Sequence, residues 1–136
     1  MNKLKLPFRA TCNTFISKDD SKVRLAIYYK EYTYDFYIQQ RPRVQAKITW
    51  TINFIEHVEM VPSEILRYIT NSNGLFEIRI KTGTDIFRIF CFFNRQKEIV
   101  ILNGFQKKTE KTPKKEIIKA LQLKYNYEKE NEYYNT

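Results

Sequence analysis

The sequence predicts an α+β domain in which a small antiparallel β-sheet carries an N-terminal helical hairpin and a C-terminal helix. Three observations lead there. Val44, Ile48, Ile52 and Ile55, and again Ile117, Leu121 and Tyr125, recur every three or four residues, the spacing of amphipathic helices. Three strand-like runs at 75–81, 86–93 and 98–105 are joined by hairpin-length connections. Ten Phe and ten Tyr against only three Gly and four Pro in 136 residues supply a packed core and argue against disorder.

Taken in order, residues 1–22 show no clear period and end in a polar run from Ser17 to Lys22. Val23, Leu25, Ile27 and Tyr29 alternate with Arg24, Ala26 and Tyr28, which predicts a first strand. Residues 31–40 are aromatic-rich, with Tyr32 and Phe36 one helical turn apart. Pro42 then breaks the pattern or opens a second helix at its first turn, and the amphipathic stretch that follows runs to about Glu59. A shorter helix is expected after Pro62, over 63–69. Asn71-Ser72-Asn73-Gly74 is a turn cluster before the three-stranded meander. Thr112 reads as the cap of the last helix with Pro113 in its first position, and the chain ends in a polar tail from Glu128.

Charge narrows the function. With 24 Lys+Arg against 15 Asp+Glu the net charge is +9, which favours polyanionic partners such as nucleic acid, an acidic protein or an anionic surface. Cys12 and Cys91 are distant and form no CxxC pair; with one His they supply no recurrent zinc pattern. No apolar run reaches the 18 or so residues of a membrane span, and the opening residues lack a signal-peptide pattern, so a cytoplasmic protein is expected. No Gly-rich phosphate loop, HExxH helix or GxSxG elbow occurs. His57 reads as a partly covered helix residue, and Trp50 with the tyrosines as core and helix-packing residues.

Strand parity locates the cations. Phe76, Ile78 and Ile80 share one face; Leu75, Glu77, Arg79 and Lys81 share the other. In the next strand Arg88 interrupts an otherwise apolar run, where an unpaired guanidinium is costly to bury. Two readings stay open: Arg88 pairs with Glu77 as an ordinary cross-strand ion pair, or Arg79 and Arg88 flank a phosphate. After the third strand, five of the ten residues 106–115 are lysines, Lys107, Lys108, Lys111, Lys114 and Lys115. They form either a solvated turn or a phosphate-binding segment at a helix start.

At the meander, Gly74-Leu75-Phe76-Glu77-Ile78-Arg79, then Phe87-Arg88-Ile89-Phe90-Cys91-Phe92-Phe93, then Leu102-Asn103-Gly104-Phe105-Gln106-Lys107-Lys108-Thr109-Glu110-Lys111-Thr112-Pro113 closely resembles the phage-derived, HigB-like branch of the RelE toxin superfamily. Tyr28-Tyr29-Lys30-Glu31-Tyr32 is similar to that family's beginning, so the likeness covers roughly residues 23–128. It implies a RelE-like toxin domain over 23–130, with 131–136 as a tail. Residues 1–22 fall outside it, as a disordered extension or a misplaced start, since Val23 stands where family members usually begin.

The resemblance further implies cleavage of messenger RNA on the ribosome, without metal or other cofactor, and inhibition by a cognate helix-turn-helix antitoxin. The ribose 2′-hydroxyl attacks its own 3′-phosphate, so the protein must position the backbone, offset charge and move protons. By the same resemblance Arg79, Arg88, Lys107 and Lys108 are the catalytic cations; the neighbouring lysines Lys81, Lys111, Lys114 and Lys115 are expected to bind RNA. Two departures stand out. Glu77 replaces a lysine of the better-known RelE proteins, leaving the general base unassigned, and the C-terminal histidine cluster of some HigB toxins has no counterpart. A different class of function uses the same basic face: a non-catalytic RNA- or ribosome-binding module that inhibits translation by occupancy.

Overall fold

The computed structural model describes residues 21–132, so most of the expected N-terminal extension, Cys12 and the end of the polar tail lie outside the described residues. Among these residues the order is β1 (Ala26–Tyr28), α1 (Tyr32–Ile38), α2 (Pro42–His57), β2 (Leu66–Tyr68), β3 (Phe76–Thr82), β4 (Asp85–Phe93), β5 (Ile99–Lys107) and α3 (Lys114–Asn131). The strands form one sheet in the order β1-β5-β4-β3-β2. This is the expected α+β fold, with two differences in the sheet.

First, β1 runs parallel to β5, pairing Ala26 with Ile99 and Tyr28 with Ile101, so the sheet is mixed rather than wholly antiparallel. Alternation of side chains marks faces but says nothing about strand direction. The strand is also shorter than the 23–29 run. Val23 and Arg24 instead donate their backbone N–H groups to the Glu56 carbonyl, and the Arg24 guanidinium bonds the carbonyls of Ile55, Val58 and Glu59. That segment caps the end of α2, whose last carbonyls have no partners within the helix.

Second, no helix follows Pro62. The Pro62 carbonyl accepts from Ile65 and Leu66, one helical turn, and the chain then extends as β2 beside β3, with Leu66 opposite Ile78 and Arg67 opposite Glu77. Pairing with an open sheet edge outweighs the weak helical signal of so short a segment. The 71–74 turn is as expected, with Asn71, Asn73 and Gly74 all at positive φ. The start of α3 is displaced by one residue: Pro113 is the cap and Thr112 makes no cap bond.

The helices bury the two sheet faces unequally. Val44, Ile48, Ile52 and Ile55 of α2 pack with Tyr37 of α1 against Ile78, Ile80, Phe87, Ile89, Cys91, Ile99 and Ile101. On the opposite face, Ala120 and Leu123 of α3 close over Leu75, Phe90, Phe92, Val100 and Leu102. That second cover stops partway along β3, β4 and β5.

Candidate functional site: a cationic cleft on the α3 face

Beyond the start of α3, the same strands carry charge. Across three strands the register aligns Arg79 of β3 with Arg88 of β4 and Phe105 of β5. The row on one side joins Arg67, Glu77 and Phe90; the row on the other joins Lys81, Ile86 and Lys107. Residues directly opposite on neighbouring strands face the same side, so two guanidiniums meet in the middle row, where like charges repel. Glu77 offsets this. Its carboxylate accepts from Arg79 Nη1 at 3.2 Å and lies 3.6 Å from Arg88 Nε, while the Thr112 hydroxyl donates to it at 3.4 Å. The Arg88–Glu77 pair expected on the bland reading therefore exists, but as part of a larger cluster.

These groups line an open cleft of about 510 Å³, walled by β2, by the sheet and by the loop before α3. Five cations, Arg67, Arg79, Arg88, Lys107 and Lys111, face it against two carboxylates, Glu77 and Glu110. The excess favours an anion. Arg88 is only 4% exposed; its Nη1 donates to the Phe87 carbonyl, and its Nε has no hydrogen-bond partner. An orphaned donor on a buried guanidinium is costly unless something accepts from it. Burial, and then the charges of Arg79 and Arg67, push the Arg88 pKa down against the pull of Glu77. Burial, and then Arg88 and Arg79, likewise hold Lys107 below the ordinary lysine value, with Glu77 and Glu110 opposing.

Lys107 reaches the cleft through a backbone irregularity. Val100 and Leu102 face α3, and by unbroken alternation Gly104 and Gln106 would follow them. Between Ile89 and Cys91 of β4 the register shifts, so that Leu102 and Asn103 together oppose Phe90. This β-bulge exchanges the faces of everything beyond it. Phe105 then stacks on Phe90 at 5.6 Å and Lys107 lines the cleft. Gly104 turns to the other side beneath Phe36 of α1, where a Cβ would stand 2.7 Å from the ring.

Of the eight side chains expected from the sequence, Arg79, Arg88, Lys107 and Lys111 come together here. Lys81 lines a separate groove with α2, and Lys108, Lys114 and Lys115 lie exposed beyond the cleft lining. Arg67 and Thr112 are additions; the helix expected over 63–69 hid Arg67, and the capping role expected of Thr112 hid its bond to Glu77. Trp50, expected in the core, is 51% exposed, because the inward stripe of α2 is already filled by its aliphatic residues. Cys91 is buried, and burial pushes its thiol pKa up, which leaves it inert. Among the described residues no group of three His, Cys, Asp or Glu is placed to hold a metal, and no helix is long and apolar enough to cross a membrane.

No curated protein matches the chain. The family described as "Phage derived protein Gp49-like (DUF891)" matches residues 38–125, from the end of α1 to most of α3, and so spans the whole cleft. On that match, over more than half its length, the chain belongs to the Gp49-like phage-derived family of RelE-type, toxin-like proteins.

Proposed function

We propose that the protein is the toxin of a toxin–antitoxin pair, an endoribonuclease of the HigB type that cuts messenger RNA in the ribosome and is held inactive by a helix-turn-helix antitoxin. The observation that carries this reading is the buried Arg88 guanidinium. It stands directly opposite Arg79, its Nε 3.6 Å from Glu77 and without a hydrogen bond, in a cleft where cations outnumber carboxylates. A phosphodiester supplies the missing acceptor.

The chemistry follows from the groups present. The 2′-hydroxyl of the ribose attacks the adjacent phosphorus, forming a bond there as the bond to the 5′-oxygen of the next nucleotide breaks. Arg79 and Arg88 take the charge that gathers on the non-bridging oxygens. As they turn to the phosphate, Glu77 is released from them and accepts the hydroxyl proton. Lys107, whose proton is held less tightly than an ordinary lysine's, gives one to the departing oxygen. Lys108 lies next along the chain and, with Lys111, Lys114 and Lys115, draws the backbone of the message toward the cleft without reading its sequence. No step calls on a metal or other cofactor.

Induced expression of wild type, Arg79→Ala and Arg88→Ala in parallel tests this. Wild type is expected to arrest growth and leave discrete new 5′ ends on messages by primer extension. Each substitution should lower the cleavage rate by about 100- to 1000-fold and relieve the arrest, with the fold verified by circular dichroism. Arrest by the variants with the same new ends would refute the roles given to the arginines. Arrest by wild type without new ends would replace cleavage by occupancy.

A further inference from the structure

The outer side of α2 carries a surface that the cleft does not use. Trp50, the only tryptophan of the chain, is half exposed and stacks on Phe54 at 5.2 Å and 19°. Lys47 Nζ stands 5.3 Å from its ring centre. Beside this pair lies an open groove of about 580 Å³, lined by Arg43, Lys47, Trp50 and Lys81 together with Thr82 and Gly83 of the β3–β4 turn. None of its lining residues is acidic. Asp85, the acid at the far side of that turn, is engaged by Arg41 at 3.0 Å.

The groove adjoins the cleft. Lys81 follows Arg79 by two residues on β3, about 7 Å along the strand. Beyond Arg79, whose backbone N–H donates to the Ile65 carbonyl, the segment before β2 no longer bonds to β3, so the stretch from Ile80 is a sheet edge. A chain lying on Arg79 can pass Lys81 and turn around the hairpin onto α2.

We propose that this groove is a second contact for single-stranded RNA, with Trp50 stacking one base while Arg43, Lys47 and Lys81 hold flanking phosphates. The inference rests on the RNA reading of the cleft and extends its footprint around the sheet edge. A half-open indole beside cations suits a nucleic acid, since every base offers a π-face and every linkage a charge. An acidic peptide would use the cations and leave the stacked rings without a partner.

Because no other tryptophan is present, emission at that wavelength reports this groove alone. The full chain is titrated with a dye-labelled 2′-O-methyl RNA of about a dozen nucleotides, long enough to span both sites and lacking the attacking hydroxyl. Tryptophan emission and dye anisotropy are followed together. The expected result is quenching of Trp50 with the same midpoint as the anisotropy, and about tenfold weaker binding by Trp50→Ala. Binding by anisotropy with flat emission and an unaffected Trp50→Ala would overturn the groove and leave the cleft reading standing. No binding by either signal would bring down both. Quenching by polyglutamate but not by RNA would assign the groove to an acidic protein instead.

Discussion

The two faces of the sheet are built from the same strands and end differently. Under α1 and α2, aliphatic and aromatic residues continue from Phe76 to Ile80 and from Phe87 to Cys91, in one core cluster with residues of both helices. Under α3 the apolar row begins the same way, with Leu75, Phe90 and Phe92, and then gives way to Glu77, Arg79 and Arg88 where no helix lies. A strand face therefore changes character along its length according to what covers it. The covered face holds the fold together, and the half-covered face is free to keep charges that repel one another. Such a like-charge cluster carries an electrostatic cost that only a partner such as Glu77 or a bound anion offsets, and the reaction proposed above would take place there.

The largest effect should come from removing a charge in the cleft. Lys107→Met is expected to slow RNA cleavage by about 100- to 1000-fold, the loss of one electrostatic donor. Its effect on stability should have the opposite sign. Burial and Arg88 hold the folded pKa of Lys107 below its unfolded value, so the folded state disfavours the charged lysine at neutral pH, and removing that charge should raise the melting temperature. The same shift sets the pH profile. If Lys107 donates the proton, the rate falls as pH rises through its folded pKa, below the ordinary 10.5. In Lys107→Arg that falling limb should move beyond the accessible range. A melting temperature that drops along with activity would place Lys107 among the structural residues.

How much of this was visible in the sequence depends on what each signal encodes. The apolar stripe of α2, Pro42 at its start and the three strands of the meander were all readable, because periodicity reports directly on which side of an element is buried. The face of Arg79 was readable too, since β3 alternates between apolar and charged side chains. Both rows of β4 are apolar apart from Arg88, so only the register shows that the two arginines share a face. Lys107 was marked by the lysine run after β5, but its catalytic role came only from resemblance to a known family. Simple alternation from Val100 and Leu102 would have turned it under α1, and the bulge at Leu102 and Asn103 that reverses this has no spacing signature. Gly104 is its one trace in the sequence, a residue without a side chain where Phe36 presses on the strand. Arg67 stayed hidden because β2 is three residues long and exists only by pairing with β3. The parallel partner of β1 was unreadable for a related reason: it comes from the far end of the domain.

A substitution on the covered face should behave in the opposite way to Lys107. Gly104→Ala would place a methyl 2.7 to 3.1 Å from three atoms of the Phe36 ring, which is itself wedged edge-on against Phe87. The expected loss is about 1–3 kcal/mol, as for other overpacked cores, read as a fall in the thermal midpoint. Cleavage measured well below that midpoint should stay close to wild type, because the arginines lie on the other side of the sheet. Equal losses of stability and of low-temperature activity would show that the bulge geometry itself is shared between the two faces.

The smallest effect belongs where the faces meet. Arg41, the cap of α2, pairs with Asp85 at the start of β4 through two well-exposed side chains. Such a pair gains little from Coulomb attraction in water and loses rotamer freedom, so Arg41→Ala should cost less than about 1 kcal/mol. A double-mutant cycle with Asp85→Ala should return a coupling energy that shrinks further as salt is added. The position makes even a small value informative. Asp85 lies across the β3–β4 turn from the groove that Arg43, Lys47 and Lys81 line, and freeing its carboxylate would add a negative charge near any RNA lying there. Arg41→Ala should therefore weaken RNA binding more than it weakens the fold, and Asp85→Asn should strengthen binding. The reverse order would mean that the hairpin end serves the fold and takes no part in binding.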